Sequence, residues 1–174
     1  LRELIDNSKM IRTIRRMSHE IIERNNDLNN LVFLGIMRKG VPLAKLIVDN
    51  IEKFEDIQIP MYELDISGYR DDKKVSEFKK LDVNLTGKTV IVIDDVLFTG
   101  RTVRASMDAI IDLGRPEKIQ LAVLIDRGHR ELPIRADYIG KNVPTNLSET
   151  INVNFYDNQG VYILNKEERK QWVH

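Results

Sequence analysis

The run VIVIDDVLFTGRT, Val90 to Thr102, constrains this chain more than any other stretch. An unbroken apolar, β-branched segment meets two adjacent carboxylates, then Thr-Gly-Arg-Thr at the start of a helical pattern. Continuous apolar runs suit strands buried on both faces, and such strands belong to parallel sheets covered by helices. In open sheets of that kind, ligands gather beyond the carboxyl ends of the strands. Two neighbouring acids there are costly unless hydroxyls or cations satisfy them. The loop behind them offers backbone N–H groups at a helix start, a ready seat for a phosphate. Gly100 lets the backbone come close, Thr99 and Thr102 add hydroxyls, and Arg101 adds charge. The set suits a sugar phosphate, with Asp94 and Asp95 on the sugar hydroxyls, or on a metal those hydroxyls hold, and the loop on the phosphate. Neither the GxxxxGK[ST] spacing of a P-loop nor a dinucleotide GxGxxG is present.

The rest of the chain alternates in the same way. Met10, Ile11, Ile14, Met17, Ile21 and Ile22 repeat at helical spacing over 8–25, with Ser8 as the expected N-cap. At about 100° per residue, Arg12, Arg15, Arg16 and His19 fall together on the opposite side. Strands are expected at 31–36, 57–66, 89–93 and 119–125, with short ones at 136–139, 151–155 and 161–164. Helices are expected at 42–54 and 102–113, the second ended by Gly114 and Pro116. The segment GYRDDKKVSEFKKL, 68–81, reads as a mobile charged loop, with Val75, Phe78 and Leu81 as its spaced apolar residues. Strand and helix in turn give an α/β domain with a mostly parallel sheet.

Composition removes some function classes. The chain has 174 residues, the length of one domain. It has no cysteine, so disulfides and thiolate metal sites are out. No apolar run approaches the ~20 residues of a membrane helix. The N-terminus is charged from the start, unlike a secretory signal, so a cytoplasmic protein without a membrane partner is expected. Lys and Arg total 27 against 27 Asp and Glu, which excludes a uniformly basic nucleic-acid binder but not a local basic face.

The Val90–Thr102 string resembles the phosphoribosyl diphosphate (PRPP) motif of type I phosphoribosyltransferases. The resemblance implies that Asp94 and Asp95 meet the ribose 2′ and 3′ hydroxyls, and that Thr99, Gly100, Arg101 and Thr102 hold the 5′-phosphate. It gives Arg38-Lys39-Gly40, after the first long strand, the place of a pyrophosphate loop. It also implies one domain over 1–174, a central sheet flanked by helices, a flexible loop near 68–81, and a small hood from the N-terminal and 138–174 segments.

Further stretches are similar to the PyrR family, bacterial pyrimidine operon attenuators that are also uracil phosphoribosyltransferases. They are VLIDRGHRELPIRADYIGKNVPTN at 123–146, HEIIERN at 19–25, DISGYRDD at 65–72 and TGRTVRASMDAIIDLGRP at 99–116. This implies synthesis of UMP and pyrophosphate from uracil and PRPP, with Mg2+ carried by PRPP rather than by direct protein ligands. Arg70, with Tyr69, is placed to act on loop closure, and Arg127, Tyr138 and Ile139 beside the base. Regulation implies a leader mRNA partner, bound in response to UMP or UTP by a homodimer or higher oligomer. Arg15, Arg16, His19, Arg130, Arg135 and Lys141 are its expected contacts. Several positions depart from the family. Lys39 stands for the usual Arg and lacks its bidentate fork. Phe98 replaces a Tyr, Arg15 a Thr and Asn146 a Ser. The alternatives are a plain nucleobase phosphoribosyltransferase, purine-using types included, without RNA binding, and a UMP-binding regulator that has lost catalysis.

Overall fold

The computed structural model describes residues 1–73 and 77–171, so Val75 lies outside the described residues. The chain opens with a short strand, β1 (Arg2–Ile5), and a long helix, α1 (Asn7–Arg24). Asp6, not Ser8, caps α1: its backbone is extended and its carboxylate accepts the Lys9 N–H at 2.8 Å. Met10, Ile14, Met17 and Ile21 form the buried stripe of α1.

After a single 3-10 turn come β2 (Leu31–Ile36), α2 (Gly40–Glu55) and β3 (Met61–Leu64). The strand expected at 57–66 is shorter on both sides. Pro60 precedes it, and the Asp65 carboxylate accepts the Ser67 N–H at 3.0 Å, turning the chain away. Then follow β4 (Thr89–Leu97), α3 (Arg101–Ile111), β5 (Lys118–Asp126) and β6 (Tyr138–Asn142). Strands β7 (Thr150–Asn154) and β8 (Gly160–Leu164) and the short α4 (Lys166–Gln171) complete the described chain.

Five strands form a parallel sheet in the order β3-β2-β4-β5-β6. Helices α1 and α2 pack on one face through Phe33, Ile91, Ile93, Ala122 and Leu124. Helix α3 packs on the other through Val32, Leu34, Val90, Val92, Leu121 and Val123. The alternation of Val90 and Val92 with Ile91 and Ile93 is the period-two pattern of a strand buried on both sides. Strands β1, β8 and β7 form a separate antiparallel hood. The hood therefore takes strands from both ends of the chain, but β6, expected to belong to it, is the edge of the main sheet.

Candidate active site

The sheet changes direction between β2 and β4. From β2 the chain goes outward to β3, then returns past β2 to lay down β4, β5 and β6 on the other side. Such a switch point opens a crevice at the strand ends. The last β2–β4 pair is Gly35 with Ile93, whereas β4 continues beside β5 to the Leu97–Asp126 pair. Asp94 to Leu97 thus run on with no β2 partner. The strand expected to stop at Ile93 carries both acids within it, held there by β5.

The turn after β2 closes on this overhang. A Cβ on Gly40 would lie 2.3 Å from the Ile93 carbonyl oxygen and 3.2 Å from Asp94 Cα. Only glycine lets the start of α2 seat directly on the backbone of the acid pair. Lys39 reaches away from the crevice floor, donating from Nζ to the Val153 carbonyl at 2.6 Å and to Asn152 Oδ1 at 3.4 Å. The expected pyrophosphate loop is thereby tied to hood strand β7.

Each acid steadies the next peptide. Asp94 Oδ1 accepts the Asp95 N–H at 2.8 Å, and Asp95 Oδ1 accepts the Val96 N–H at 2.9 Å. Burial, with Asp95 alongside, pushes the Asp94 carboxyl well above its ordinary value. Asp94 lines a cleft of about 290 Å³ with Phe98, Thr99, Gly100, Arg101 and Thr102. Gly100 has φ 93° and caps α3, so its left-handed backbone aims the helix start into that cleft.

Arg70 lines the same cleft from the charged loop. It pairs with Asp72 at 2.8 Å, and that guanidinium holds the Asp72 carboxyl down at about 2. Arg101 is bracketed by Asp71 at 2.7 Å and Glu131 at 2.8 Å. These two acids carried no sequence signal, because an ion pair across 30 positions has no spacing to reveal it. Tyr69 stands apart from the cleft. Its hydroxyl donates to Asp112 at 2.7 Å, a bond that pushes the phenol up to about 12 and anchors the loop to the end of α3.

The phosphoribosyl transferase domain family matches residues 1–158. The pyrimidine operon regulatory protein of Lactococcus lactis is 52% identical over 160 residues, covering 91% of this chain and 92% of that one. Bifunctional protein PyrR of Clostridioides difficile is 54% identical over 164 residues, covering 91% and 93%. The chain belongs to the phosphoribosyltransferase family, in its PyrR branch. Solved phosphoribosyltransferases share the fold at low identity. A hypoxanthine enzyme of Trypanosoma cruzi superposes with a TM-score of 0.76 at 17% identity, over 98% of this chain and 94% of its own. One from Staphylococcus aureus gives 0.74 at 19%, over 96% and 92%. The architecture is therefore that of type I phosphoribosyltransferases.

Within that fold, several residues have places other than those expected. Tyr138 offers no face to a base: it is 1% exposed, and its hydroxyl donates to Gln120 and accepts from Asn25. The reason is its position in β6, facing α1 across the core. Ile139 packs on the α3 face, and its carbonyl accepts from Arg16 at 3.3 Å. Arg127 is buried and clamps the 145–149 loop, donating to Thr145 Oγ1, Asn146 O and Glu149 O. Its guanidinium lies 4.1 Å from the Phe98 ring centroid, so Phe98 is a platform for arginine here.

The expected RNA contacts occupy four places. Arg16 caps the open edge of β6, donating to Gly140 O at 2.6 Å, which brings α1 beside Lys141. Arg15 borders a recess with Leu46 and Phe155, and His19 stacks on Phe54 of α2 at 4.5 Å. Arg135 lies on the α3 side of the sheet, near Met107 and Leu121. These cations thus surround the sheet edge rather than forming a single patch. Arg130 is turned inward, paired with Asp126 and donating to Phe98 O and Ile134 O.

Proposed function

We propose that this protein is a cytoplasmic, UMP-responsive regulator of pyrimidine operon transcription that also converts uracil and PRPP to UMP and pyrophosphate. One observation carries the reading. Proteins named as pyrimidine operon regulators and bifunctional PyrR match at 52–54% identity over nine-tenths of both chains. A purine enzyme without RNA binding is not favoured, since the hypoxanthine enzymes match at 17–19% and share only the fold.

In this reading Asp94 and Asp95 accept the ribose hydroxyls, and Thr99 to Thr102 seat the 5′-phosphate at the α3 N-terminus. Arg38, Lys39 and Gly40 receive pyrophosphate, with Lys39 leaving its hood partners to do so. Arg70 reaches over PRPP from the loop. The uracil nitrogen bonds to the anomeric carbon as the bond to pyrophosphate breaks, through an oxocarbenium-like transition state. No covalent enzyme intermediate is needed, so positioning and electrostatics carry the rate. A hard divalent ion held by diphosphate and ribose oxygens would neutralise the charge of PRPP, with Asp94 and Asp95 meeting the hydroxyls that hold it rather than the ion itself.

For RNA, Arg15, Arg16, His19, Arg135 and Lys141 supply the cations for leader phosphates, gathered by a homodimer or a higher oligomer. The test has two arms. UMP formation from uracil, PRPP and Mg2+ is expected in the wild type and lost in Asp95→Asn. In a filter-binding titration, the operon's own leader RNA is expected to bind more tightly with UMP than without. Unchanged turnover in Asp95→Asn removes the acids from the mechanism, and RNA binding indifferent to UMP removes the regulatory half.

A further inference from the structure

Three successive carbonyls of the phosphate loop are held by one short segment of the chain. Leu97 O accepts from Arg127 N at 3.1 Å, and Thr99 O accepts from Glu131 N at 2.9 Å and Leu132 N at 3.3 Å. Between them, Phe98 O accepts from Arg130 Nη1 at 2.7 Å. The Phe98 ring lies under Arg127 and meets the His129 ring edge-on at 5.8 Å. Arg101, at the head of α3, pairs with Glu131 of the same segment.

Arg130 is the branch point of this lattice. Its Nη2 pairs with Asp126 at the end of β5, and its Nε donates to Ile134 O at 2.9 Å. Its side chain is 24% exposed, and every nitrogen has a partner within the protein. One residue beyond Ile134 stands Arg135, exposed and without a hydrogen bond or ion pair among the described residues. The 132–134 stretch also packs on Gly100, where an added Cβ would sit 3.4 Å from Ile134.

A peptide unit is planar, so its N–H cannot tilt without its C=O. The carbonyls of Leu97, Phe98 and Thr99 share planes with the N–H groups of Phe98, Thr99 and Gly100. A phosphate drawing those N–H groups inward must therefore move the acceptors that Arg130 and its neighbours hold. We propose that Arg130 is a positioning residue that transmits phosphate occupancy to the exposed cation Arg135, and is not itself a contact to RNA. This rests on the reading that RNA binding responds to UMP. It requires that UMP and RNA raise each other's affinity by one common factor, and that the Arg130 bonds carry that factor.

The experiment measures leader-RNA dissociation constants without and with saturating UMP, over a range of salt, for wild type, Arg130→Gln and Asp126→Asn. Saturation makes the ratio independent of any change in UMP affinity. In both variants the ratio is expected to fall to near one. A direct phosphate contact adds about 0.7–0.9 to the slope of log affinity against log salt, so Arg130→Gln should leave that slope at the wild-type value. Asp126→Asn keeps the cation and neutralises the carboxylate it pairs with, leaving its bonds to Phe98 O and Ile134 O in place, so it serves if Arg130→Gln does not fold. A wild-type UMP response that survives in the folded variants overturns the transmitter alone. A slope reduced by one contact in Arg130→Gln overturns it too, and makes Arg130 an RNA ligand. A wild-type ratio of one removes the regulatory reading and the transmitter with it.

Discussion

Replacing Tyr138 by Phe separates a core residue from a base platform. The hydroxyl donates to Gln120 Oε1 at 2.7 Å and accepts from Asn25 Nδ2 at 3.1 Å. Removing it strands neither partner. Asn25 Nδ2 still donates to Ile21 O at 2.8 Å and to Gln120 Oε1 at 3.1 Å. The cost is then that of lost hydrogen bonds, each about 0.5–1.5 kcal/mol net, rather than of a buried orphan. The ring remains, along with the Arg24 guanidinium 5.0 Å from its centroid. A loss of about 1.5 kcal/mol is expected, which for a domain of this size lowers the melting temperature by about 3–6 °C. Thermal unfolding by calorimetry or circular dichroism reads this directly, and steady-state kinetics on the same sample should give an unchanged KM for uracil. A variant that melts with the wild type but binds uracil more weakly would refute the core assignment and return Tyr138 to the base site.

Two further outcomes follow from the crevice. Asp94 has a raised pKa in the folded state, so the stability of its protonated form is present at low pH and lost as pH rises through that value. Asp94→Asn should therefore melt above the wild type at pH 7, with the gap closing as pH falls toward the ordinary carboxylate range near 4, while UMP synthesis is lost. A variant that melts lower than wild type at pH 7 contradicts this. Gly40→Ala drives a methyl against the Ile93 carbonyl, 2.3 Å away, where backbone lies on both sides. A destabilisation of about 1–3 kcal/mol is expected, with a proportionally larger loss of PRPP turnover because the acid pair shifts. Wild-type stability and activity together would mean that α2 moves aside freely.

Much of the site was legible from local pattern. The strand, the acid pair, the glycine and the helix start are consecutive, and their chemistry needs them consecutive. The helices at 7–24 and 40–55 showed in their apolar spacing for the same reason. What was misplaced depended on distant partners. Tyr138 follows a polar residue and opens a strand, which suits a site as well as a core. Asn25 and Gln120, 113 and 18 positions away, make it core. Strand β1 went unread because four residues make no pattern, and its pairing partner is at the far end of the chain.

The cations show the division most clearly. The sequence alone determined that they gather in the first helix and around 127–141, since charge and helical phase are local properties. Only the tertiary structure decided what each one meets. Arg16 turns to the unpaired carbonyls of edge strand β6, Arg127 to a loop and an aromatic ring, and Arg130 to the back of the phosphate loop, leaving Arg135 outside. A guanidinium goes where buried carbonyls lack donors, and those vacancies exist only once the strands have been laid side by side.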